Sequence, residues 1–475
     1  MNILAIDQGT SATKAVLVGP GHDVLGSAEV PVTVRAAADA VETDPDELYQ
    51  SVLTAGRTAL RSAGTQADAV ALANQGETVL AWDRRTGRPL TQAIGWQDRR
   101  SAGVCDRLAP AAQWLTEVTG LPLDPYFAAP KMTWLRENLT TDGVVTTTDT
   151  WLLARLGADY VTDAATASRT MLLDLDAADW SPRACEAFGL DPSALPAVAD
   201  CAGPAGETGA FGPLIPVTGL AVDQQAALVA ERCLTAGQAK CTYGTGAFLL
   251  ATTGGTAVRS TSGLSASVAW RLDGVPTYCL DGQVYTAGAA IGWLTEIGLL
   301  SEAAEIDPLA GSVTDSAGVM FLPALAGLGA PHWRPSARGA FLGLNLAATR
   351  AHLIRAVVDG LAASVALLVR SVTDDLGAGL CSLRVDGGLT RSRALLQAQA
   401  DLLQIPVEVY ETPDATALGV AALARLGIGA SDDLAAAVGP LRIAAVVEPK
   451  MNPDEAAERL ATFDAALGQI IAGAW

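Results

Sequence analysis

Residues 3–18 read Ile-Leu-Ala-Ile-Asp-Gln-Gly-Thr-Ser-Ala-Thr-Lys-Ala-Val-Leu-Val, and residues 240–250 read Lys-Cys-Thr-Tyr-Gly-Thr-Gly-Ala-Phe-Leu-Leu. Each stretch is a strand-forming run, a turn of small residues built on Gly-Thr, and a second strand-forming run, so each predicts a β-hairpin. The tip of the first carries Asp7, Gly9, Thr10, Ser11 and Lys14; the tip of the second carries Gly244, Thr245 and Gly246. Their recurrence predicts an internal duplication, with a first domain over residues 1–232 and a second over 233–475. Outward from the hairpins the chain alternates strands and helices. Residues 24–34 read as a third strand. Asp44 caps a helix with Pro45 at its first position and Leu48, Val52, Ala55 and Leu60 at helical spacing. Residues 70–73 form a buried strand that runs into Asn74-Gln75-Gly76-Glu77. Residues 215–222 and 224–233 read as strand then helix with Asp223 at the junction. Residues 383–386 run into the double glycine Gly387-Gly388, followed by helices over 392–403 and 415–426. This is an α/β chain with polar residues at its strand ends and two halves facing each other across a cleft.

Composition narrows the chemistry. Half of the 475 residues are hydrophobic and 17% are charged, enough to build a sizeable core. The net charge of −20 disfavours a nucleic-acid partner, although a small anion needs only local donors. Lysine occurs four times (Lys14, Lys131, Lys240, Lys450) and no basic run forms a membrane-attracting patch. The longest apolar stretches, such as 360–369, are too short to span a bilayer. Seven scattered cysteines without a C-x-x-C pair fit reduced thiols, and no signal peptide opens the chain, so a cytoplasmic setting is expected. The three histidines have no zinc-hydrolase spacing. A G-x-S-x-G elbow, a P-loop, a G-x-G-x-x-G after the first strand and an H-R-D loop are all missing.

The three small-residue turns suit a polyphosphate. Glycine allows close backbone approach, and Thr and Ser add short donors. Asp7 adds a carboxylate of the kind Mg²⁺ prefers, and Gly387-Gly388 offers a flat surface for a base or ribose. Any one of these turns alone is no more than a tight turn. All three, each after an apolar strand and divided between two halves, match the layout of the actin-like ATPase superfamily. Asp223 has two readings: a helix N-cap, which spacing alone favours, or a carboxylate that takes the proton of a hydroxyl attacking a γ-phosphate.

The chain resembles the FGGY carbohydrate kinases almost end to end, most closely their glycerol kinase branch. The segments that carry the resemblance include Ile6-Asp7-Gln8-Gly9-Thr10, Asn74-Gln75-Gly76-Glu77-Thr78, Trp96-Gln97-Asp98-Arg99-Arg100 and Thr166-Ala167-Ser168-Arg169-Thr170-Met171. In the second half they include Val222-Asp223-Gln224-Gln225, Thr242-Tyr243-Gly244-Thr245-Gly246, Gly327-Leu328-Gly329-Ala330-Pro331 and Val385-Asp386-Gly387-Gly388. The resemblance implies two actin-like (ribonuclease H-like) domains across an ATP cleft, and phosphorylation of a small polyol or sugar with ATP and Mg²⁺. It implies Asp223 as general base and Asp7 as the Mg²⁺ ligand. Thr10, Ser11, Lys14 and Thr245 would lie on phosphates, and Gly288, Gly388 and Ser392 on the nucleotide. Glu77, Trp96, Tyr126, Asp223, Gln224 and Phe248 would form the polyol site. Read without the resemblance, Trp96 and Phe248 are core residues. A homodimer or homotetramer is the implied assembly.

Departures from the family bear on substrate and control. Gly76 stands where glycerol kinases carry Arg. Either the pocket is widened for a four- or five-carbon polyol or ketose, or another Arg fills the gap and glycerol is the substrate. Lys14 keeps the charge of an Arg, while Gly292 and Ser392 replace a Gln and an Asn near the base. Residues 206–216 lack the Gly-Arg loop through which bacterial glycerol kinases bind fructose 1,6-bisphosphate, and the His that some relatives phosphorylate, so neither control is expected. An actin-like ATPase, or a sugar sensor without turnover, stands as the more distant alternative.

Overall fold

The computed structural model describes residues 1–412 and 414–472. Both hairpins form. Ile3–Gln8 pairs antiparallel with Ala12–Val18, which places Asp7 opposite Lys14, and Val24–Pro31 adds a third strand. On the other flank of Ile3–Gln8 run Ala69–Asn74 and Ile215–Val222, both parallel to it. Ala239–Tyr243 and Ala247–Gly254 make the second hairpin, with Val275–Val284 beyond. Leu383–Asp386 and Val407–Tyr410 run parallel on its other flank. Three antiparallel strands followed by two parallel ones recur in the same order in both sheets, so the duplication read from two turns extends to topology. The central strand of the first sheet is buried on both faces: Ile3, Leu4, Ala5 and Ile6 are fully covered, which is why it reads as a continuous apolar run.

Local signals placed several helices. Asp44 accepts from the Asp46 and Glu47 amides and starts Pro45–Ala63, which ends at the left-handed Gly64. The helix after Ile215–Val222 differs from expectation. It spans Asp223–Ala230, with Val222 in the cap position and no side-chain cap. Asp223 is therefore its first helical residue, and its carboxylate takes the adjacent Gln224 amide at 2.7 Å. The helix stops at Ala230 because the chain turns there, Arg232 adopting φ +55°.

Two features went unread in the sequence. A five-stranded antiparallel sheet joins Val34–Ala37, Ala40–Thr43, Ala93–Ile94, Val79–Trp82 and Val144–Thr147. Its strands are too short to show a period, yet they flank Glu77 and Trp96. Arg350–Leu376, which contains the 360–369 stretch, is by length and composition apolar enough to cross a membrane. Burial explains this: 72% of its most apolar window lies inside the protein.

The halves share a core. Helix Ala415–Gly427 returns from the second half to pack on helix Asp223–Ala230 and the first sheet. Its Ala417, Val420, Ala421 and Ala424 join Ile3, Ala5, Ala71 and Val222 in one apolar cluster. Close approach depends on glycine: a Cβ at Gly419 would lie 1.7 Å from the Ala226 carbonyl oxygen. Gly419→Ala is therefore expected to destabilise the protein by about 3 kcal/mol, read as a lower chemical-denaturation midpoint; an unchanged midpoint would show that the two helices separate at no cost.

Candidate functional site

The strand ends converge. The first hairpin tip, the turn after Ala69–Asn74, the start of helix Asp223–Ala230 and the second hairpin tip surround one cavity of about 170 Å³, lined from both halves. It brings together Thr10, Glu77, Trp96, Tyr126, Asp223, Gln224, Thr245 and Phe248. Asp7, Ser11, Lys14, Gly288, Gly388 and Ser392 do not line it.

One wall is aromatic. The Trp96 ring meets Tyr126 edge to face at 5.8 Å and Phe248 at 5.9 Å. Trp96 Nε1 donates to Thr10 Oγ1 at 3.0 Å, tying this wall to the first hairpin. Lys131, buried beneath, donates to the carbonyls of Pro125, Tyr126 and Phe127 and so fixes the segment that carries Tyr126. Burial draws the Lys131 ammonium down to about 7. Glu77 sits in a left-handed backbone conformation, φ +59°, an uncommon state for a side-chain-bearing residue and one typical of functional turns.

The polar floor depends on residues that sequence reasoning did not assign to the site. Arg169 Nε donates to Glu77 Oε1 at 2.7 Å, and its Nη1 to Asp281 Oδ2 at 2.5 Å. Burial pushes the carboxyls of Glu77 and Asp281 up, and the guanidinium opposes this in both. A Cβ at Gly76 would lie 2.9 Å from Val222 Cγ2, so no side chain fits there without movement of Val222. Arg169, from a different segment, pairs with Glu77 although position 76 carries no side chain; this pair does not decide between the two readings of Gly76. Lys240 reaches Gln224 Oε1 at 2.6 Å. A sequence signal existed for each: Arg169 lies in a motif already singled out, Lys240 is one of four lysines, and Asp281 is a lone acid within the apolar strand Val275–Val284.

The phosphate-turn residues sit on the second half and the cleft edge. The Gly244-Thr245 turn rests on the start of helix Gly288–Glu296. The Gly288 amide donates to the Gly244 carbonyl at 2.9 Å, and a Cβ at Gly288 would lie 2.6 Å from that oxygen. Gly387 adopts φ +94°, where a Cβ would meet the Tyr243 carbonyl oxygen at 2.4 Å, so the double-glycine turn packs on the second hairpin. Ser392 caps helix Arg393–Leu403, its hydroxyl donating to Asp307 at 2.6 Å. Lys14 is ion-paired with Asp414, and Ser11 is exposed. Burial and the nearby Asp223 carboxylate push the Asp7 carboxyl up to about 7, with Lys14 opposing and Asp414 and Asp386 adding to the rise.

Two family models divide the chain: "FGGY family of carbohydrate kinases, N-terminal domain" matches residues 2–230, and its C-terminal counterpart matches 239–427. The chain is 45% identical over 451 residues to a glycerol kinase of Thermus brockianus, covering 90% of each. It is 40% identical to a glycerol kinase of Myxococcus xanthus, covering 98% of each. Its fold matches the crystal structure of Plasmodium falciparum glycerol kinase with ADP at a TM-score of 0.91 and 30% identity, over 99% of this chain and 98% of that one. A xylulose kinase from Brucella ovis matches at 0.88 and 26%, over 99% and 100%.

The carboxylate geometry predicts a pH dependence. Asp7 titrates near 7 in the folded protein against an ordinary 3.8, so the fold favours its protonated form. That contribution is fully present below about pH 4 and is lost as pH rises through 7. In buffer without divalent cations, Asp7→Asn should melt above the natural protein at pH 8, with the gap closing towards pH 4; melting curves that stay parallel across this range would contradict the assignment.

Proposed function

The chain belongs to the FGGY family of carbohydrate kinases, and we propose that it transfers the γ-phosphoryl group of ATP to a hydroxyl of glycerol. The observation that carries this reading is the cavity itself: Asp223 and Gln224 face Glu77, Tyr126 and Trp96 across a pocket whose other wall is the second hairpin tip. The glycerol kinase relatives favour glycerol over a longer acceptor.

Glycerol lies against Trp96 and Phe248, with its hydroxyls on Glu77, Tyr126, Gln224 and Asp223. ATP lies along the second half, its phosphates on Thr10, Ser11, Lys14 and Thr245 and its nucleoside near Gly288, Gly388 and Ser392. Asp223 accepts the proton of the attacking hydroxyl as the new P–O bond forms and the bond to the departing ADP breaks. Approach of the halves aligns hydroxyl and phosphate and excludes water that would otherwise be the acceptor.

The donor set suits Mg²⁺. Asp7 offers a hard oxygen in a region of excess negative charge, with Asp223, Asp386 and Asp414 all acting on it. Among the described residues no three His, Cys, Asp or Glu side chains converge to cage a metal. Asp7, waters and the nucleotide phosphates would therefore hold the ion, which offsets charge on the transferring group. All seven cysteines are free and six are buried, which supports the cytoplasmic setting.

A coupled ADP-release assay with Mg-ATP and glycerol, erythritol, xylitol, xylulose, ribulose and gluconate tests the substrate. Glycerol should give the highest kcat/KM; a clear preference for a four- or five-carbon acceptor would return the site to the widened-pocket reading, and ADP release that ignores every polyol would point to a switch. Asp223→Asn should leave glycerol binding nearly intact and cut kcat by roughly a thousandfold; near-normal turnover would remove Asp223 from the chemistry.

A further inference from the structure

Lys240 belongs to strand Ala239–Tyr243 of the second half, yet its ammonium reaches the first. The side chain is fully buried, and Nζ donates to Gln224 Oε1 at 2.6 Å and to Thr242 Oγ1 at 2.7 Å. Both hydrogen-bond partners are neutral, while the ammonium's charge is offset by the buried carboxyls of Asp223, Asp386, Glu231 and Asp281.

That charge compensation leaves open why the ammonium is aimed at Gln224 Oε1, and the chemistry of the amide answers it. An amide offers a carbonyl on one side and an NH₂ on the other, and nothing intrinsic decides which side faces a ligand. An ammonium only donates, so it holds Oε1 to itself and leaves Nε2 as the group turned away from it. Gln224 lines the cavity beside Asp223. We propose that Lys240 is a positioning residue for the acceptor site: by holding the Gln224 carbonyl from across the cleft, it presents the Gln224 NH₂ to an acceptor hydroxyl oxygen. Because donor and acceptor come from different halves, the acceptor site is complete only while the halves stand at this separation.

The electrostatics agree with such a placement. Burial pushes Asp223 and Asp386 up, and in each Lys240 is the strongest opposing influence. Glu231, buried with no hydrogen-bond partner on either oxygen, and Asp281 feel it as well. Arg169 and Arg384 are the other nearby cations, acting on Asp281 and Glu231 respectively.

This inference rests on the glycerol kinase reading, and the test separates the two. Steady-state kinetics would compare the natural protein with Lys240→Met, Lys240→Arg, Gln224→Ala and the Lys240→Met/Gln224→Ala double variant. Lys240→Met should raise the KM for glycerol roughly tenfold to hundredfold, the loss expected for a charge-assisted hydrogen bond, while leaving the KM for ATP nearly unchanged. Lys240→Arg should restore part of it. The double variant should bind glycerol no worse than Gln224→Ala alone, because Lys240 acts through Gln224. An unchanged glycerol KM in Lys240→Met, or additive effects in the double variant, would overturn the proposal while leaving the kinase reading intact. A natural protein inactive on glycerol would overturn both. If Lys240→Met does not fold, the nearly isosteric Thr242→Val removes one of the two anchors of the ammonium. It should raise the glycerol KM in the same direction by a smaller factor, and no rise would overturn the proposal equally.

Discussion

A single buried guanidinium holds the centre of this molecule. Arg169 lies between Glu77 of the first half and Asp281 of the second, bonded to both. A carboxylate placed there without a cation would take up a proton or be pushed out of the site. The planar fork of Arg satisfies two acids at once, which a lysine ammonium does less well. Its guanidinium also lies 5.8 Å from the Tyr126 ring and 5.2 Å from that of Phe127, so the aromatic wall is set from the same point. Arg169 thus offsets the burial of Glu77, touches the aromatic wall and joins the two halves.

The rest of the charge arrangement is local. The protein carries a net charge of −20, yet three of its four lysines stand in or beneath the cleft. Lys14 flanks the first hairpin tip, Lys131 holds the Tyr126 segment from below, and Lys240 bridges to Gln224. A strongly negative net charge disfavours polyanion partners, and a small anionic nucleotide needs only a few local cations. The carboxyls around the same cleft are pushed up by burial and by one another, an arrangement that would suit the divalent cation and the proton acceptor of the proposed reaction.

Much of this was legible in order along the chain. The two hairpins, the Asp44 cap and the strand that ends in Asn74 are local features, set by apolar runs, turn chemistry and capping, and they appear where the sequence places them. The site residues gathered in the cavity sit at strand ends for the same reason. The five-stranded sheet was not legible, because strands of two to four residues carry no measurable period. The cap reading of Asp223 failed because both a cap and a first-turn acid put a carboxylate beside free amides, and only backbone angles separate them.

The sequence by itself determined the two-hairpin duplication, the family and the candidate chemistry, because each depends on residues close together in the chain. The tertiary structure alone decided which cation partners which acid. Arg169 and Glu77 are 92 residues apart, Arg169 and Asp281 are 112 apart, and Lys240 meets Gln224 across the boundary between halves. Nothing in local spacing marks such pairs: a buried charge finds its partner only when packing has excluded water, and which groups then face one another is a property of the assembled halves.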